Sequence, residues 1–152
     1  MKFDLTDSND KLLYQQLHLL SLKDMCQINH LEQLLEAGVV SLKIEGRLKD
    51  TTYVKNVVAA YRTRLNEIIA KSPNKYKRSS LGHCQYAFTP NLSKTFNRGY
   101  TTYFLNGRIA DISSPATPKA IGQFVGKVKA INYNNFTVAS IEAFANGDGL
   151  CF

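Results

Sequence analysis

The stretch VVSLKIEGRLK, Val39 to Lys49, decides how the rest of the chain is read, because it is a short apolar run that ends in clustered charge just before a long helical pattern. Strand alternation puts Val40, Leu42 and Ile44 on one face and Ser41, Lys43 and Glu45 on the other. Two readings stay open. Either this is a surface strand whose Lys43 and Glu45 meet water, or it is a barrel strand packed on an outer helix by its apolar face. In the second reading Lys43 and Glu45 face the lumen near the carboxyl end, where barrel strands carry chemistry.

Downstream, Asp50 stands where an N-cap belongs, ahead of Val54, Val57, Val58, Tyr61, Leu65, Ile68 and Ile69 at the spacing of one helical face, so a helix is expected from Thr51 to about Ala70. Upstream, Asn29 is a candidate cap for a helix through Leu31, Leu34 and Leu35 that Gly38 stops. The tail of Leu12 to Leu22, HLLSL, is a strand candidate, and so is Lys2 to Leu5, with turn chemistry between Asp7 and Lys11. Together these form a β-α-β-α unit of the kind that builds parallel barrels and open sheets.

Glu45, Arg47 and Lys49 sit at the strand-to-helix junction, where the helix amides can hold an anion. A salt bridge between Glu45 and a neighbouring cation would instead fix the turn without touching a ligand. No H-E-x-x-H or G-x-S-x-G is present, and His18, His30 and His83 stand apart, so no nucleophile with a paired base is visible.

The run HLLSLKDMCQINHLEQLLEAGVVSLKIEGRLKDTTYVKNVVAAYR, His18 to Arg62, resembles the signature region of the collagenase-like proteases, peptidase family U32; SLKIEGR with the following K, YV and AYR carries the likeness, and SLKDMC supports it. FNRGYTTYFLNGR and the stretch from GQFVGKV to NGDGL resemble the region after the barrel in one branch of that family. The resemblance implies an α/β fold, α+β as a fragment: a β-α-β-α piece of a TIM-like barrel, then a partial β-barrel. It implies Lys43, Glu45 and Arg47 as site residues, and its main expectation is a piece of a collagenase-like protease that lacks a complete active site; the alternatives are part of an iron–sulfur-dependent enzyme that hydroxylates RNA or small aromatic precursors, or an RNA-binding module. The cysteine after the second strand, Cys26, is then the last of four cluster ligands in a full-length protein. With the other three absent, no cofactor is expected in this chain, and Cys26 by itself reads as a small buried hydrophobe.

The chain of 152 residues is 44% hydrophobic and 20% charged, which is globular rather than disordered. No run approaches the roughly 20 apolar residues of a membrane span, and Met1 to Asp10 is too polar for a signal peptide, so a cytoplasmic protein with no membrane partner is expected. Cys26, Cys84 and Cys151 are odd in number and widely spaced, which suits reduced thiols rather than a disulfide framework.

The net charge of +7 is uneven: residues 1–70 carry nine Lys/Arg against nine Asp/Glu, whereas residues 71–130 carry ten against Asp111 alone. Such asymmetry suits an RNA-facing surface or merely basic solvated loops; on the RNA reading Lys75, Lys77, Arg78, Arg98 and Arg108 meet phosphate. For Arg98 the competing expectations are a grip on a carboxylate and packing on Phe96 or Tyr100.

The expected boundaries are 1–70 for the end of the barrel-like unit, 71–119 for a basic linker with a short helix from Thr89 and Pro90 to Phe96, and 120–152 for an incomplete β-barrel. From Ile121 the pattern has period two, with a turn at Asn134-Asn135, and reads as a hairpin. The open edges of both partial units point to a homo-oligomer.

Overall fold

The computed structural model describes residues 1–152. The chain is mixed α/β, with three separate two-stranded sheets and two α-helices. β1 (Phe3–Thr6) and β2 (Leu12–Leu17) form an irregular antiparallel hairpin around a turn in which Asp7 Oδ1 accepts from the amides of Asn9 and Lys11. β3 (Asp24–Met25) runs parallel to β4 (Tyr100–Thr101), and β5 (Gly126–Asn132) pairs antiparallel with β6 (Asn135–Ser140).

α1 (Leu31–Glu36) follows a 3₁₀ turn at Ile28–His30, and α2 spans Thr51–Lys71. The Asp50 side chain accepts from the amide of Tyr53 at 2.6 Å, so the cap read from sequence is made. Gly38 takes φ +94, with its amide on Leu35 O and that of Val39 on Leu34 O; this paired bonding ends α1 and needs a left-handed residue there. Leu31 at the start of α1 and Ile68 near the end of α2 are the two fully buried large side chains. Around them the helices are tied by Lys71 to Glu32 at 2.7 Å and Lys75 to Glu36 at 3.1 Å.

Several expectations are corrected. Val39 to Ile44 is not a strand: its backbone joins no ladder, and a strand is defined by its neighbours rather than by alternation alone. The stretch runs without regular structure to a turn closed by Lys49 N on Gly46 O at 3.1 Å, and it lies against α2 so closely that a Cβ on Gly46 would come within 3.0 Å of Val54 Cγ2. His18 to Leu22 is a turn with a single bridge, Leu22 to Ser113, because Ser21 is buried and bonded across to Thr117 O. Asn29 lies inside the 3₁₀ turn and caps nothing. The helix expected from Thr89 to Phe96 is one 3₁₀ turn, Leu92–Lys94, capped by Asn91. The hairpin turn falls one residue earlier than expected, at Tyr133-Asn134.

One element of α2 positions the site. Asn56, buried on the helix, donates to Asn91 O at 2.7 Å and accepts from Asn91 N at 2.9 Å, which docks the 91–95 turn on the helix and delivers Phe96 and Arg98 beside it. Satisfying both ends of a buried amide in this way fixes geometry as well as contributing energy.

Candidate functional site

The docked segments enclose a cavity of about 510 Å³. The 39–49 stretch contributes Lys43, Glu45, Arg47 and Lys49, the β3 strand contributes Asp24 and Cys26 comes directly after it, α2 contributes Tyr53, Val57 and Tyr61 at successive turns, and Arg98 and Tyr100 come from the 97–101 segment. The three residues singled out from SLKIEGR therefore share one lining with Cys26 and Arg98. Lys75, Lys77, Arg78 and Arg108 are not on it.

Within the cavity the charges sort into pairs. Arg98 holds Asp24 through its backbone amide at 2.8 Å and through Nε and Nη2 at 3.3 and 3.1 Å, so its main partner is an acid rather than Phe96, whose ring lies 5.7 Å away. Lys43 meets Glu45 at 3.0 Å with both side chains largely in water, which is the turn-fixing salt bridge the sequence allowed and a weak one at that exposure. Arg47 and Lys49 have no carboxylate partner. Lys49 is nevertheless held: its Nζ lies 3.1 Å from the centroid of Phe96 and 5.5 Å from that of Tyr53. Burial pushes its ammonium below the ordinary lysine value, with Arg98 acting the same way and Asp24 opposing. Asp50 supplies the anion at the start of α2 itself, so the cap takes part of the anion role considered for the helix amides.

Cys26 is half-exposed on the cavity wall, not a buried filler. Tyr61 donates its hydroxyl to Cys26 Sγ at 3.9 Å and accepts from Gln27 N at 3.0 Å. Burial raises the pKa of Tyr61 to about 12, and burial likewise raises those of Tyr53 and Tyr100. Gln27 donates through Nε2 to Thr102 O at 2.7 Å while its Oε1 is buried without a donor.

Asp24, Gln27 and the tyrosines were missed by the sequence reading. Tyr53, Val57 and Tyr61 recur at i, i+4 and i+8, and a tyrosine on an apolar stripe was the available signal, because its hydroxyl must find a partner.

The remaining basic candidates are dispersed in role. Lys75 is bound to Glu36, and Arg78 folds back on Gly82 O and His83 Nδ1, whereas Lys77 and Arg108 are exposed with no acidic partner. Cys84 and Cys151 are exposed free thiols off the cavity, and no group of three or more metal-ligating side chains is assembled. One thiolate does not make a cluster site, so the donors of this chain alone do not fit an iron–sulfur group. No helix is long and apolar enough to cross a membrane.

Residues 1–114 match the family described as peptidase family U32. The chain is 43% identical over 150 residues to a 23S rRNA 5-hydroxycytidine synthase of Escherichia coli (strain K12), covering 99% of this chain and 23% of that protein. It is 29% identical over 145 residues to tRNA hydroxylation protein P of the same organism, covering 88% and 28%, and 28% identical over 110 residues to a collagenase of Porphyromonas gingivalis, covering 72% and 28%. It thus spans about a quarter of the length of these relatives. No solved structure matches. On the match across three quarters of its length, this chain belongs to peptidase family U32.

Proposed function

We propose that this chain is part of an RNA-hydroxylating protein, and that the cavity between the 39–49 stretch, β3 and α2 is its share of the working site. The observation that carries the reading is the 43% identity to a 23S rRNA 5-hydroxycytidine synthase, which extends over 99% of the chain rather than one motif. The basic 71–130 segment agrees with it, since exposed cations such as Lys77 and Arg108 are what a phosphate backbone requires. In this reading Lys43, Glu45 and Arg47 handle the substrate, and Cys26 is one of four thiolates that hold an iron–sulfur cluster when the rest of such a protein supplies three more. Residues 1–70 belong to the end of a barrel, 71–119 to a basic connection and 120–152 to the beginning of a small β-barrel.

A peptidase reading has the collagenase relative in its favour. Acyl transfer needs a nucleophile with a base in reach. Here the partner of Cys26 is Tyr61, and His18, His30 and His83 all lie off the cavity lining.

Disrupting the gene and measuring rRNA nucleosides by mass spectrometry tests the proposal. Loss of a hydroxylated cytidine is expected, and an unchanged nucleoside profile would overturn it.

A further inference from the structure

The cavity holds more positive charge than its own carboxylates consume. Asp24 and Glu45 are the two carboxylates on a lining that also carries Lys43, Arg47, Lys49 and Arg98; Asp24 is held by Arg98 and Glu45 pairs weakly with Lys43, whereas Arg47 and Lys49 have no carboxylate partner. Lys49 is fixed in place by the Phe96 ring, yet its Nζ makes no hydrogen bond to the protein, so its donors are left for a ligand. An ammonium presented on the wall of a largely apolar pocket is an anion anchor.

The wall beside it is aromatic. Tyr100 donates its hydroxyl to Leu92 O at 2.7 Å, and that of Tyr61 is occupied by Cys26 and Gln27. With these polar ends satisfied inside the protein, what Tyr61 and Tyr100 bring to the lining is aromatic carbon, the kind of surface on which an unstacked base rests. Gln27 Oε1, a buried acceptor with no donor on the same lining, is the complement of an exocyclic amino group.

We infer that this cavity takes a single unstacked cytidine nucleotide of the RNA, with its phosphate on Lys49 and Arg47, its ring on the tyrosine wall and its amino group on Gln27. Enzymes that act on a base take it out of the stack into such a pocket, and a volume of about 510 Å³ is ample for one nucleotide. The inference rests on the RNA-hydroxylation reading and adds to it which residues receive the nucleotide.

Titrating the 152-residue chain with cytidine 5′-monophosphate, uridine 5′-monophosphate, cytidine and inorganic phosphate, monitored by ligand-observed NMR, tests it. Cytidine 5′-monophosphate should bind tighter than the other three. Lys49→Met should weaken it by about tenfold while leaving cytidine unchanged, and Lys49→Arg should restore most of the loss, as expected of a charge-assisted contact. Equal binding of inorganic phosphate and the nucleotide, or indifference to Lys49→Met, would overturn the inference. A second readout needs no variant: magnetisation transfer between base protons and tyrosine ring protons is expected, and its absence overturns the base placement. If an RNA oligonucleotide binds with a steep salt dependence while the mononucleotide does not bind, this inference fails and the RNA reading stands.

Discussion

Tyr61 bridges two parts of the site, accepting from Gln27 N and donating to Cys26 Sγ. Burial moves its pKa from 10.0 to about 12, so the fold favours the neutral phenol. Between those values an unfolded chain has released the proton that the folded chain still holds. The stabilisation is therefore whole below the unfolded value and is lost as pH rises through the folded one. Tyr61→Phe should be less stable than the parent near about pH 9, with the difference shrinking toward about pH 12, as measured by urea unfolding. A difference that stays constant across that range would contradict the assignment. Lys43, Glu45 and Arg47 could be grouped from the sequence because they are neighbours in one short stretch, and the structure brings them onto one lining with Cys26. Asp24 was not legible in the sequence, since its partner Arg98 lies 74 residues away and no spacing rule reports a contact of that range.

At the scale of elements, α2 was readable almost to the residue because its signals are its own: Asp50 as cap and an apolar stripe at helical spacing. Asp50→Ala should cost about 1 kcal/mol of stability, measured by denaturant unfolding, with the loss greatest in the first turn. No change on that substitution would mean that the cap bond at Tyr53 N is not formed. Exchange of the Tyr53 amide gives the same test locally. Val39 to Ile44 was misread for the opposite reason, because its alternation is that of a strand while no other segment pairs with its backbone. The β5–β6 hairpin needs no distant partner and was legible, displaced by one residue at its turn. The docked 91–95 turn was invisible because it is held by Asn56, a polar residue within an otherwise apolar helical pattern.

For the whole molecule, the accessible surface is 11909 Å² for 17.0 kDa. A self-contained protein of that mass exposes about 7,700 Å², so roughly a third of the present surface is in excess. Much of the surplus is apolar, including Val40, Leu48, Ile131 and Tyr133, and the three short sheets leave their edges open. Surface of this kind becomes covered. The purified chain is expected to self-associate, and light scattering should give a mass of at least twice 17.0 kDa; a monodisperse monomer would contradict this. A role of the cavity in RNA hydroxylation is tested by the amount of hydroxylated cytidine in rRNA from cells whose gene carries Glu45→Gln or Arg47→Ala. At unchanged protein abundance, each substitution should lower that nucleoside by about tenfold or more, the loss expected when a contact to a charged group is removed. Wild-type levels of the nucleoside in both variants would rule that role out.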